Sequence, residues 1–577
     1  MNFARAEKLL EKLEQTQTFS GPGRALEVSE DSPPRFSVAG RTLHSRYDPV
    51  KEARQQIGDS GHGTLTVCAG AGLGFAVEVL LGQQSRVIWF EPNREILRAA
   101  LEHIDFSRAL GTGDLVLLVR LPDESELARM LQGLSMNDVR VFSHRNFSFE
   151  EHLAFEHRVL HFLGKKNVNM ATLSRFDRLW ARNFARNLVY LKRAMPVRLL
   201  FGLEKGKVAV VASAGPSLND SLGDLRRVRN QIVLIAVDTA VRILTSAGID
   251  PDYIVSVDPQ PVNRVYLEDY TGDARIVIDP TVSTGALRHL QKLYFFWSPF
   301  RLPQTFFSLW QGGPGEIAFG GSVSTNAYDL ARKLGCDPVY LVGQDLAFSD
   351  GQVHARGAIL EERLNWKETR LFRREGHNRM QRAALPVLLL PGLNGRAVET
   401  NEKLAIFYRW FERRFERDKS EGLRVLNATR RGAAFRGMEK SELNISGEDV
   451  RRSSEPVFVG PTWAEIAAQL EVFVSELVAV KGILDNGIAL SKGSEQNARR
   501  LTEELDRIDE RLRGHSTMLD CLGLTAQRAI LGITEGLSES DGLENARKLY
   551  QALYDGACNY DIWFGKALKV VKNMGGA

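Results

Sequence analysis

With 577 residues, 44% of them hydrophobic and 25% charged, the chain has the make-up of a globular protein and the length for about three domains. Lysine and arginine (75) nearly balance aspartate and glutamate (71), so bulk charge gives no ground for a nucleic-acid or membrane partner. Four scattered cysteines, Cys68, Cys336, Cys521 and Cys558, form no CxxC pair, which argues against a disulfide framework or a cysteine zinc site.

The opening residues read as an amphipathic helix rather than a secretory leader, and no apolar run approaches a membrane span. The expected compartment is therefore the reducing cytoplasm. Arg35–His44 has the pattern of a hairpin, and Asp48-Pro49 is a helix start, with Asp as N-cap and Pro at the first helical position. Next comes an apolar strand, Thr64–Ala69, then Gly70-Ala71-Gly72-Leu73-Gly74, then an apolar helix from Phe75 to Leu81. The following strand, Arg86–Phe90, is closed by Glu91-Pro92. This is a Rossmann-like β-α-β unit whose closing acid can reach a ribose hydroxyl. Leu115–Val119 and Val139–Phe142 read as further strands of a first domain spanning 1–168. An S-adenosylmethionine-dependent methyltransferase is one reading of the unit. No catalytic motif accompanies its glycines, which favours a non-catalytic Rossmann-like module.

Residues 169–204 read as a helical connector. Arg175, Arg178, Arg182, Arg186, Lys192 and Arg193 alternate there with Leu179, Trp180, Phe184, Leu188 and Tyr190. Such a pattern suits a solvated helix face bridging domains better than a nucleic-acid surface.

In the next domain, 205–445, strands alternate with helical stretches: Val208–Ala212, Gln231–Val237, Asp252–Val257, Ala274–Ile278, Leu293–Trp297 and Pro338–Val342. The fold class expected is α/β, with a doubly wound, mostly parallel sheet. Ligands of such sheets bind at the carboxyl ends of the strands. There the sequence places Ser213-Ala214-Gly215-Pro216-Ser217-Leu218, Asp238, Asp258 and Gly343-Gln344-Asp345. The first is a tight turn into a helix, suited to a phosphate or simply to an αβ connection; it is neither a Walker loop nor a G-x-G-x-x-G pattern. A second such turn, Gly320-Gly321-Ser322-Val323-Ser324-Thr325-Asn326, opens a helix that Ser322 or Ser324 can cap. Asp345 and His354, on either side of an Asp350-Gly351 turn, are a carboxylate and an imidazole that can serve as base and acid. The carboxylates can equally hold a divalent cation, and His354 can equally be a surface loop residue.

From about Pro461 the pattern is helical, giving a C-terminal bundle over 446–577. One stripe runs Trp463, Ile466, Leu470, Phe473, Leu477, Val480, Leu484. Leu501, Leu505, Ile508 and Leu512 form another. Leu543 to Leu553 and Tyr560 to Val570 suggest two more helices.

Taken together, Gly215-Pro216-Ser217-Leu218, Ile249–Tyr253 with Asp258-Pro259, Gly320–Val323 and Gly343–Phe348 resemble the central domain of the Maf (motility-associated factor) flagellin glycosyltransferases. That domain is itself similar to 6-hydroxymethylpterin diphosphokinases. Leu390–Thr400, Asn427–Gly437, His44–Ala53 and the Gly70–Pro92 unit fit the same family. The resemblance implies a glycosyltransferase that moves a nonulosonic acid, of pseudaminic or legionaminic type, from a CMP-activated donor to Ser or Thr of flagellin. It implies Gly215, Pro216, Ser217, Asp238, Gly321, Ser322, Thr325, Asn326 and Gln344 as nucleotide-sugar contacts. Asp258, Asp345 and His354 are then the catalytic candidates, with a divalent metal left open. Ala214 stands where related sialyltransferases carry Asn, so one nucleotide contact of that pattern is missing. A pterin diphosphokinase and a non-catalytic flagellin-binding assembly factor are the competing readings. The expected partners are flagellin and a nucleotide sugar, with no nucleic acid and no membrane span.

Overall fold

The computed structural model describes residues 2–576 apart from 22–23, 32–34, 59–64, 84, 132–138, 145–148, 298–299, 371–372, 384–385, 451–452, 493–497 and 524–541. The side chains of 2–5, 124, 125, 128, 161, 163–175, 365, 374, 381, 498, 499 and 502 also lie outside the described residues; Thr64 of the expected first strand and the Arg175 side chain of the expected connector are among those outside them. The chain divides into two compact units, Met1–Leu173 and Ser174–Ala577.

In the first unit β1 (Leu26–Val28), β2 (Phe36–Val38) and β3 (Arg41–Thr42) form a small antiparallel sheet. The expected hairpin is β2–β3, joined through Ala39 and Gly40, both at positive φ as the two-residue turn requires. A parallel sheet follows: β4 (Leu65–Ala69), β5 (Arg86–Phe90), β6 (Leu115–Leu118) and β7 (Val139–Ser143), in the order β6-β5-β4-β7. The chain steps outward from β4 to β6, then returns to put β7 on the other side of β4. The crevice between the carboxyl ends of β4 and β7 is thus the switch point of this sheet. Asp48 caps the Pro49–Ile57 helix by accepting the Lys51 N–H at 2.8 Å.

The second unit is built on nine parallel strands. They are β8 (Met195–Pro196), β9 (Ala209–Ala212), β10 (Val233–Val237), β11 (Tyr253–Ser256), β12 (Arg275–Ile278), β13 (Leu293–Phe295), β14 (Val339–Val342), β17 (Val425–Asn427) and β18 (Glu439–Lys440). A separate hairpin pairs β15 (Val387–Pro391) with β16 (Ala397–Asn401). The nine-strand order is β18-β17-β14-β9-β10-β11-β12-β13-β8. The inner strands are buried on both faces, as near-continuous apolar runs such as Val-Leu-Ile-Ala-Val demand. From β9 the chain walks to β13 and then returns to β14 on the other flank, so the switch point lies between β9 and β14. The fold is α/β with a helical C-terminus.

The helical C-terminus shares one continuous apolar core with this sheet. Ile466, Leu470, Phe473, Leu477, Val480 and Leu484 line the buried face of the Trp463–Leu490 helix. The two helices expected over 543–570 are one helix, Gly542–Gly575, because the two stripes are in phase and no proline interrupts them. Val571 rather than Val570 faces the core, and Val570 is exposed. The helix expected as a connector from 169 begins at Glu150 and runs to Asn187.

Cys68, Cys336 and Cys521 are buried free thiols whose burial pushes their pKa upward. Among the described residues no helix is long and apolar enough to cross a membrane.

Candidate active site

At the switch point of the central sheet, backbone bonds tie the two flanking turns together. Ser213 N–H donates to Val342 O and Gly215 N–H to Gly343 O, both at 2.9 Å. Asp345, only 1% exposed, lies directly behind this junction. Its Oδ1 accepts the Ser217 hydroxyl at 2.6 Å, and its Oδ2 accepts the Ser349 hydroxyl at 2.7 Å. The Ser217 N–H also points to the carboxylate, 3.2 Å from Oδ2. A Cβ on Gly215 would collide with the Asp345 carboxylate and the Gly343 carbonyl, so only glycine lets the turn close over this group. Burial pushes Asp345 up to about 6 against the opposing pull of these hydrogen bonds.

The Ser217 hydroxyl and amide both point to Asp345, so the pair clamps the turn from within. Ser217 begins the Leu218–Val228 helix without a capping bond from its side chain. Pro216 is buried beside it.

Asp238 is likewise engaged by hydrogen bonds within the protein. It is buried at the carboxyl end of β10, where it accepts the Ser256 hydroxyl at 2.7 Å, the Asn263 amide at 2.8 Å and the Thr239 N–H at 2.7 Å. Burial pushes it up to about 6. Gln344 is equally internal, its Oε1 accepting the Ser213 hydroxyl at 2.6 Å.

In the second glycine turn, Ser322 is the N-cap of the Val323–Lys333 helix. Thr325 is fully buried: its hydroxyl donates to Ser322 O at 2.6 Å and accepts the Gly320 N–H at 3.0 Å. Asn326 donates to Ala318 O at 3.0 Å, while its Oδ1 is buried with no hydrogen-bond partner. Gly321 adopts positive φ beside the Phe407 ring.

Asp258 and His354 share the influence of one charge, the Lys403 ammonium. Asp258, partly exposed after β11, accepts the Gln260 N–H at 2.8 Å. Burial raises its pKa, and the Lys403 ammonium works in the opposite direction. His354 is pushed down to about 4, first by burial and then by the same Lys403. The His354 backbone is held by Glu361, which accepts its N–H at 3.2 Å, and the neighbouring Ala355 N–H bonds to Ala214 O at 2.9 Å. Tyr266 feels both Asp238 and Asp258, with burial as the larger cause raising its pKa. Asp258 and His354 thus both feel the Lys403 charge, while Asp345 is enclosed under the Gly215 turn.

Lys403 was not legible as a site residue. It is an exposed lysine in the first turn of the Glu402–Ser420 helix, and Asn401, which caps that helix at 2.9 Å from Leu404 N, is the signal that places it. Beyond the Asp345 loop opens a cleft of about 390 Å³ lined by Phe348, Ser349, Arg382, Asn394, Arg430 and Arg431. Its guanidinium groups pair with Glu399, Asp224 and Asp350 around the rim.

In the first unit, histidine side chains lie against the glycine turn of the Rossmann-like sheet. A Cβ on Gly70 would lie 2.8 Å from the His152 ring, and one on Gly72 would lie 2.5 Å from His44 Nε2. The chain's own imidazoles thus occupy the space against the glycine turn. Glu91 is buried, with its Oε1 accepting the Asn93 N–H at 3.2 Å and lying 3.5 Å from His152 Nε2, so it does not reach out to a ribose.

Residues 182–351 match the family model described as 6-hydroxymethylpterin diphosphokinase MptE-like. The whole chain shares its fold with the solved structure of a Maf glycosyltransferase from Magnetospirillum magneticum AMB-1, at a TM-score of 0.59 and 15% identity over 98% of this chain and 96% of that one. An uncharacterized protein of Treponema pallidum (strain Nichols) is 24% identical over 362 residues, 58% of this chain and 62% of the relative. Another from that organism is 33% identical over 116 residues, 20% of this chain and 50% of the relative. The chain thus spans less than two thirds of the length of these curated relatives.

Proposed function

We propose that this protein is a glycosyltransferase that moves a nonulosonic acid from a CMP-activated donor to a Ser or Thr hydroxyl of flagellin. The observation that carries this reading is a fold that follows a Maf glycosyltransferase over 98% of the chain, with Asp258 and His354 both under the influence of the Lys403 charge.

The chemistry asks little of the protein. The anomeric carbon–phosphate oxygen bond breaks with its electron pair leaving on CMP. A bond forms to the acceptor oxygen, and the acceptor proton passes to a base. Neutral His354 or Asp258 takes that proton. Lys403 offsets the charge of the departing phosphate and of an ionised Asp258. The Ser322-capped start of the Val323–Lys333 helix is a helix N-terminus of the kind that favours phosphate. The arginine-lined cleft next to the Asp345 loop suits the carboxylate of a nonulosonic acid. Gly215, Ser217, Asp345, Asp238 and Gln344 act in this account by holding the turns that frame the site.

The test is CMP release from a CMP-nonulosonate in the presence of flagellin. Wild-type protein is expected to release CMP only when flagellin is added, and His354→Gln and Lys403→Met each to lower the rate at least 100-fold with the fold intact. Undiminished release by both variants would remove these residues from the reaction. The family match over 182–351 favours one second reading, a pterin diphosphokinase. That enzyme binds ATP with Mg²⁺, and calorimetry with ATP distinguishes the two.

A further inference from the structure

A second cluster of chemistry-bearing side chains lies in the first unit, apart from the site above. The β6-β5-β4-β7 order makes the crevice between β4 and β7 the switch point of that sheet, where open α/β sheets take their ligands. Three residues reach it from three elements. His144 follows β7 directly, His44 comes from the loop after β3, and Glu52 comes from the first turn of the Pro49–Ile57 helix. One donor atom from each lies within 4.8 Å of the other two. The imidazole rings meet edge to face with centroids 5.1 Å apart. His44 is 8% exposed and His144 3% exposed.

We infer that His44, Glu52 and His144 form a binding site for one divalent transition metal of the zinc class. Two imidazole nitrogens and one carboxylate oxygen suit Zn²⁺, Co²⁺ or Fe²⁺ and are a poor match for Mg²⁺ or Ca²⁺, which take oxygen ligands. Three protein ligands leave a further coordination position for water or a small ligand. Donors held about 2.0–2.1 Å from zinc are closer together than the outer limit of this cluster, so the side chains close slightly on the ion.

The surroundings are those of a supported metal site. The Ser45 N–H donates to Glu52 Oε2 at 2.6 Å, and the Gln56 amide lies 3.3 Å from Glu52 Oε1 and 3.4 Å from His144 Nε2. These contacts orient the carboxylate and one imidazole. On the other side, the Leu73 N–H donates to His44 Nε2 at 2.8 Å. A metal bound at this nitrogen would compete with the amide for the lone pair and so couple occupancy to the Gly70–Gly74 turn. Gly72 has no Cβ at the one place where a Cβ would strike His44, so the turn is shaped to admit the ring.

The probe is Co²⁺ added to the chelator-stripped full-length protein. One Co²⁺ per chain is expected, with the ligand-field bands of a four- or five-coordinate ion, displaced by an equivalent of Zn²⁺. Glu52→Gln and His144→Gln should each weaken binding by 10-fold or more, while His515→Gln, in the other unit, should leave it unchanged. Should the variants fail to fold, X-ray absorption on the Zn²⁺-loaded wild-type protein decides, with two imidazole scatterers expected. Folded wild-type protein that takes up no Co²⁺, unaltered affinity in both variants, or a zinc shell without imidazole would overturn the assignment. In that event the cluster is a hydrogen-bonded plug of the glycine turn.

Discussion

Asp345→Asn is the perturbation whose outcome follows most directly from the structure. The carboxyl is raised from an ordinary 3.8 to about 6 because burial outweighs the bonds from Ser217 and Ser349. A carboxyl raised on folding stabilises the native state while protonated. That contribution is complete below the unfolded pKa near 3.8 and is lost as the pH rises through 6. The shift corresponds to about 3 kcal/mol. Asparagine keeps the shape and the network, because its oxygen can accept from Ser217 while its amide donates to Ser349, and it does not titrate. Other groups also change stability in this range: Asp238 acts in the same direction, and His354, pushed down to about 4, acts in the opposite one. The difference between variant and wild type isolates Asp345. Guanidinium unfolding followed by tryptophan fluorescence at several pH values should show the variant gaining about 2 kcal/mol relative to wild type between pH 4 and pH 7. A difference that stays flat, or that falls with pH, would refute the buried-carboxyl reasoning.

Gly215→Ala forces a methyl group against the Asp345 carboxylate and the Gly343 carbonyl, and should cost about 1–3 kcal/mol in the same unfolding assay. Arg275→Ala removes a buried guanidinium that bonds Tyr253 Oη at 2.8 Å and Glu455 at 3.1 Å; because Glu204 keeps Lys207 at 2.6 Å, the loss should lie near the lower end of a broken buried pair, about 3 kcal/mol. His354 is neutral down to about pH 4, so kcat/KM for CMP release should show no acid limb near 6.5, and a limb there would place a different histidine or an exposed His354 in the reaction.

The parts of the fold legible in the sequence are those whose burial is uniform. The runs at β9 to β14 are buried on both faces, which writes itself as unbroken apolar sequence, and their alternation with helices dictates a parallel sheet. The edge strands β8, β17 and β18 are short and partly exposed, so Met195–Pro196 reads as part of the connector and the last two carry no strand signal. The single helix Gly542–Gly575 was split by reading two stripes as two elements. At the site, sequence marks which polar residues end a strand but not where their hydrogen bonds go. Ser217, Asp238 and Gln344 are at the expected edge with their polar groups turned inward, and Lys403 arrives from a helix far along the chain.

The central claim is tested most directly by the intact mass of flagellin from cells with and without this protein. The account predicts that flagellin loses one or more nonulosonate-sized increments when the protein is absent and regains them with the wild-type gene but not with His354→Gln. Flagellin of identical mass in both strains would contradict it.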